Sequence, residues 1–451
     1  MTKTTIMKNI LLPNLKAISL FTFLFFLFSC KKQDTSPIIP PVVEWQKCLG
    51  GSGFENATFT QQTTDGGYIL VGTSTTNNGD VSGNHGGYDY WVVKLSSTGS
   101  IQWQKCLGGS GDDKANSIQQ TTDGGYIVAG YSNSNNGDVS GNHGYNDYWI
   151  VKLDINGIIL WQKSLGGSNT DEASSIQQTA DGGYIVAGWS NSNNGDVSGN
   201  HGGADYWIVK LGSTGSIQWQ KSLGGFGYEE ASSIQQTTDG GYILAGWSNS
   251  NDSNVIGNHG GVDYWVLKLD NAGSIQWQKS FGGSGDDIPY SLQQTTDGGY
   301  VVAGGSGSND GDVSGNHGGS GGGDYWVVKM DNTGNIQWQK CLGGSDNDYA
   351  SSIRQATDGG YIVAGLSLSN DGDVSGNHGQ DDYWVAKLGS TGSIQWQKCL
   401  GGSSGDAASS IKQTTDGGYI VVGNSGSNDG DVSGNHGGGS FDCWAVKLAA
   451  K

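Results

Sequence analysis

The sequence predicts an all-β protein, a seven-bladed β-propeller with four antiparallel strands per blade, and three observations carry that expectation. Trp-Gln-Lys recurs at Trp45, Trp103, Trp161, Trp219, Trp277, Trp338 and Trp396, at a step of 58 residues except for one of 61; self-similarity at a fixed period marks a repeat architecture. Each unit holds four short runs rich in Val, Ile, Tyr and Trp, broken by glycine, with no amphipathic helical period. The first unit opens on a lone run, Val43 to Leu49, and the last stops one run short, so the two ends together complete a seventh blade. Such closure removes the open edges that a solenoid would have to cap.

The first thirty residues form a separate unit. Lys3, Lys8 and Lys16 precede the apolar run Ile18 to Phe28, which is short of the roughly 20 residues needed to span a bilayer. Leu27-Phe28-Ser29-Cys30 resembles the lipobox of bacterial lipoproteins, with Phe28 bulkier than the usual residue. The resemblance implies a signal peptide over 1–29, lipidation of Cys30 and anchorage to a membrane by acyl chains. Lys31 and Lys32 stand where an inner-membrane retention signal would place Asp, which favours the outer membrane, facing either the periplasm or the exterior. Residues 30–42, with Pro37, Pro40 and Pro41, read as an extended tether, and 43–451 as the propeller.

Within the second unit, Ala115 to Thr121 and Tyr126 to Tyr131 flank the turn Thr122-Asp123-Gly124-Gly125. They make a tight hairpin, because Asp-Gly supplies the positive φ that such turns need. A linker of about fifteen residues leads to Asp147 to Leu153. The Asp154-Ile155-Asn156-Gly157 turn then returns the chain as Ile159 to Leu165. Glycine is 80 of 451 residues and the apolar fraction 34%, which alone would suggest a low-complexity chain, but 16 Trp and 19 Tyr supply a core built from rings.

Trp-Gln-Lys-x-Leu-Gly-Gly, Thr-Asp-Gly-Gly-Tyr-Ile-Val-Ala-Gly and Asp-Tyr-Trp-Val-Val-Lys-Leu resemble the bacterial seven-bladed propeller repeat (SBBP-like) of secreted proteins and lipoproteins, over residues 43 to 449. A looser likeness to the blades of quinone-cofactor dehydrogenases concerns a pattern those blades use structurally, and implies no redox cofactor.

Strand alternation puts the long linkers and the Gly-Gly-Ser-Gly-Asp-Asp connections on one face, which collects most of the Asp. Three linkers read Asp-Gly-Asp-Val-Ser-Gly: Asp310, Asp312, Ser314; Asp371, Asp373, Ser375; and Asp429, Asp431, Ser433. Oxygens at positions 1, 3 and 5 before a glycine suit Ca²⁺. The same side chains also suit Asx turns on their own backbone. Against calcium, no Glu sits at position 12, and Gly318 stands where integrin-like calcium loops carry a further acid. Asn78, Asn136 and Asn194 replace the first Asp in three other linkers, and the fourth, with Asp252, Asn254 and Ile256, should bind a cation worst.

One histidine per linker (His85, His143, His201, His259, His317, His378, His436) reads as structural, since catalysis needs one asymmetric constellation rather than seven copies. Symmetry breaks just after the second strand, where Tyr131, Trp189 and Trp247 fall on adjacent blades and could stack on a sugar or anchor a protein partner. Cys48 and Cys443 are expected to oppose one another at the ring's closure, by analogy with Tyr90 opposing Cys106, at a separation a disulfide could bridge.

A formal charge of −19 disfavours nucleic acid. These features together point to a monomeric, non-enzymatic binding module. A carbohydrate-active lyase or glycosidase and a purely structural surface protein are the alternatives.

Overall fold

A computed structural model describes residues 39–318, 323–437 and 440–450. The expected signal peptide, Cys30, most of the tether and the three-residue insertion around Ser320 lie outside them. Residues 39 onward form one compact unit of twenty-eight strands in seven four-stranded antiparallel sheets. Blade one runs from its inner strand (Glu55–Gln62) through Tyr68–Ser74 and Asp89–Leu95 to its outer strand (Ile101–Leu107). The inner strands of the next six blades are Asp113–Gln120, Asp171–Gln178, Glu229–Gln236, Asp287–Gln294, Asp348–Gln355 and Asp406–Gln413. Each neighbours the next, and the last neighbours the first, so the ring is closed. Blade seven takes its outer strand, Val43–Leu49, from the start of the chain, paired with Asp442–Leu448.

Both faces of each sheet are covered. The third strands, such as Asp89–Leu95, are buried along their whole length, which is why Tyr-Trp-Val-Val-Lys-Leu shows no alternation. The seven apolar clusters each sit between two blades; one joins Ile69, Val71, Tyr90 and Val92 of blade one to Ile118, Val128, Trp149 and Val151 of blade two. Hydrogen bonds stitch the same junctions. Tyr90 Oη donates to the Trp149 carbonyl at 2.8 Å, with the two rings 4.5 Å apart, and the five junctions that follow repeat the bond. Each bond contributes about 1 kcal/mol.

The turn expected at Asp-Gly is present: Gly66 has φ +81, and Asp65 Oδ1 accepts from the Gly67 N–H. Lys94 from the third strand folds back onto Asp65 at 2.9 Å, and all seven blades repeat this pair. The inner strand of blade two starts at Asp113, two residues before the expected Ala115, because the Asp113 N–H donates to the Tyr88 carbonyl of blade one.

The expected disulfide is not formed. Both Cys48 and Cys443 are free and buried, and the register is one residue away from that expected: Cys48 faces Trp444, and Cys443 faces Leu49. The cause is a β-bulge near the start of each outer strand, at Gln102 in blade one and Glu44 in blade seven. One extra residue there turns every later side chain to the other face. The two thiols therefore lie on opposite faces of blade seven, in different apolar clusters.

Candidate functional site

The long linkers and the glycine-rich connections do share a face: the Asp138 N–H donates to the Gly108 carbonyl, and six other blades repeat that contact, with Asn254 in the fourth. On this face the Asp side chains of the linkers work as acceptors for backbone. Asp310 Oδ1 takes the Ser284 N–H, Asp371 that of Ser345 and Asp429 that of Ser403. That accepted bond is the main reason their carboxyls lie below the usual range. Asn78, Asn136, Asn194 and Asp252 do the same through Oδ1, so an amide oxygen serves as well as a carboxylate.

The remaining members of each triplet have other partners. Asp312, Asp373 and Asp431 donate their N–H groups to the carbonyls of Gly282, Gly343 and Gly401. Ser314, Ser375 and Ser433 accept from Gln339, Gln397 and Gln46. Among the described residues no three His, Cys, Asp or Glu side chains gather as a metal site.

Each histidine closes a clasp. His85 Nδ1 and its own N–H both meet Asp89 Oδ2, and the other six repeat the ring contact at 2.6 to 2.8 Å. The fully buried Asp89 shares the Cα of Gly108 with Asp113 of blade two, so that a Cβ on Gly108 would stand 2.5 Å from Asp113 Oδ2 and 2.8 Å from Asp89 Oδ1. Only glycine lets both carboxyls approach.

Tyr131, Trp189 and Trp247 are half-buried on the second strands of blades two to four. Their partners on the inner strands also leave the repeat: Lys114, Glu172 and Glu230. Glu172 accepts from Asn146 Nδ2 at 2.7 Å. Burial pushes both glutamate carboxyls up, and Glu230 is raised further by the charge of Glu172. Nearby loops add the exposed rings of Tyr145, Phe226 and Tyr228.

A second departure lies along the central channel, a cavity of about 350 Å³ lined by the seven inner strands. The seventh residue of these strands is Gln61, Gln119, Gln177, Gln235 or Gln293 in blades one to five, but Arg354 and Lys412 in blades six and seven. Tyr290 and Phe59 also replace smaller polar residues on the flanking blades. Glu172, Glu230, Tyr290, Arg354 and Lys412 lie on the inner strands, and the break in symmetry after the second strand does not disclose them. Aligning the seven inner strands would have found them, and Arg354 is the only arginine of the chain.

No known family's sequence model matches the chain, and no curated protein is similar to it in sequence. Solved propellers are similar in architecture. The Pan2 WD40 domain of Neurospora crassa is 10% identical over 89% of this chain and 95% of its own, with a TM-score of 0.49. BamB of Moraxella catarrhalis is 15% identical over 90% and 88%, at 0.40, and YCF48, solved with a D1 peptide, is 10% identical over 92% and 100%, at 0.47. Likeness at this level concerns the fold alone.

Proposed function

We propose that the chain is an envelope lipoprotein, held to the outer membrane through Cys30, and that its propeller is a non-enzymatic binding module. The contact surface is the linker face over blades two to four. One observation carries this reading: on a frame otherwise repeated sevenfold, Tyr131, Trp189 and Trp247 stand on consecutive blades beside Lys114, Glu172 and Glu230. Ring faces with hydrogen-bonding groups at their edges suit a sugar chain or a protein surface. The histidines support a non-catalytic reading, since all seven are engaged in the same clasp.

A second reading, a carbohydrate-active enzyme, draws on Glu172 and Glu230, two neighbouring acids whose carboxyls burial holds up, as general acids require. A glycan array read for both retention and cleavage distinguishes the two. In the binding reading, W189A/W247A loses retention on the order of 10²-fold, while E172Q/E230Q alters selectivity and no glycan is cut. Cleavage abolished by E172Q/E230Q would establish the enzyme instead. Indifference of every retained glycan and cross-linked protein to W189A/W247A would remove this face as the contact surface.

A further inference from the structure

In five blades the seventh residue of the inner strand is a glutamine whose Oε1 accepts a backbone N–H of the next blade. Gln120 donates to Gln61, Gln178 to Gln119, Gln236 to Gln177, Gln294 to Gln235 and Gln355 to Gln293, at 2.6 to 3.0 Å. Arg354 and Lys412 have no acceptor on their side chains. Two consecutive junctions thus give up a stabilising bond, and two like charges are set side by side in a confined channel. Departures that cost stability without local return are expected where a protein does its work.

Among the described residues the charges have no counterpart in the channel. The 25 residues lining the channel include no Asp or Glu, although the chain carries 42 of them. Arg354 Nη1 donates to Ser291 Oγ at 2.8 Å and to the Ile353 carbonyl, both neutral. Lys412 Nζ lies 4.5 Å over the Phe59 ring and has no hydrogen-bond acceptor among the described residues. Burial lowers Arg354 to about 10; burial, then the charge of Arg354, brings Lys412 well below the usual lysine range. Confined cations are ordinarily matched by an anion, and the described residues supply none in the channel.

We infer that Arg354 and Lys412 form an anion-binding site in the central channel, for a small ligand bearing a carboxylate or phosphate group. The guanidinium fork matches two oxygens of either group and the ammonium adds a third contact. Ser291, Ser352 and Ser410 offer neutral hydrogen bonds, and Tyr290 and Phe59 offer apolar flanks. A cavity of about 350 Å³ limits the occupant to a small molecule or a chain end. The site lies on blades five to seven and one, across the ring from Tyr131, Trp189 and Trp247, and does not depend on what the linker face binds.

Titration and scanning calorimetry of the full chain in detergent, with inorganic phosphate and with citrate at constant ionic strength set by sodium chloride, tests the site. The control is R354Q/K412Q, which restores the residue of the other five blades and so should fold. The wild type is expected to bind one or both anions and to melt higher as the logarithm of their concentration rises. The variant should bind at least tenfold more weakly, and without anion should melt above the wild type because its ring of glutamine bonds is complete. Phosphate alone would mark a phosphate-bearing ligand, and citrate alone a carboxylate-bearing one. A wild type that binds neither, or a variant that binds as well as the wild type, overturns the inference.

Discussion

Asp89 and its six counterparts are buried with one oxygen held by histidine and the other, Oδ1, without a hydrogen-bond partner among the described residues. Burial, only partly offset by the histidine, holds the Asp89 carboxyl above its usual value, and burial does the same to Asp113 across Gly108. The folded chain therefore binds these protons more tightly than the unfolded chain. The stability they contribute is complete below about 3.8 and is lost as the pH climbs through their raised values. Asp65 and its relatives behave oppositely. Burial raises Asp65, but Thr63, Lys94 and the Gly67 N–H more than offset it and bring it to about 2. Its contribution is complete above 3.8 and is lost as the pH falls through about 2. The melting temperature should accordingly be highest in weakly acidic buffer and decline on both sides; scanning calorimetry from pH 2 to pH 8 would show a flat profile if these carboxyls did not matter. The structural role of the histidines was legible from their sevenfold repetition. Their aspartate partner was not, since nothing in Asp-Tyr-Trp distinguishes a buried carboxyl from a strand-end acid.

Strand positions were readable to within two residues because both hairpin turns carry their own chemistry, Asp-Gly in one and a positive-φ glycine at the fourth place of the other. Register across the second hairpin was not. The bulge at Glu44 is a single residue within Val43–Leu49 with no turn chemistry to mark it, and it places Cys443 on the face opposite Cys48. In the linkers, the Asp-x-Asp-x-Ser spacing fits two kinds of chemistry equally, and only coordinates show the amide that Asp310 Oδ1 accepts. Calcium drawing on Asp310 Oδ1 and Ser314 Oγ would compete with that bond and with the one from Gln339 to Ser314. Hence N136D and D310N, which exchange the two residues the repeats themselves use, are expected to leave the melting temperature unchanged, with and without chelator. A drop caused by chelator in the wild type and lost in D310N would show a cation acting at that loop.

Across the whole molecule, the seventh junction is held by fewer of the repeated contacts than the rest. Cys443 stands where six blades carry the tyrosine that bonds the next blade. Closure depends instead on Val43–Leu49, on Trp444 Nε1 donating to Gln46 at 2.8 Å, and on the Thr415 N–H reaching Gln62 at 2.8 Å. Removal of residues 43–49 should strip Asp442–Leu448 of its outer neighbour and expose an edge strand, an invitation to pairing between chains. Size-exclusion chromatography should show the truncated protein as larger oligomers or aggregates than the intact one; a truncation that elutes with the intact protein and melts cooperatively would mean that the seam closes without its first strand.

This arrangement also bears on how the protein is made. The strand that seals the circle, Val43–Leu49, precedes every other strand of the propeller, and its berth beside Asp442–Leu448 is made last, nearly four hundred residues later. In the interval, six near-identical sheets offer that early segment imperfect resting places, while a second nascent copy offers it the right one. Dilution and sparse expression then favour each chain sealing itself, whereas crowding favours chains that seal one another.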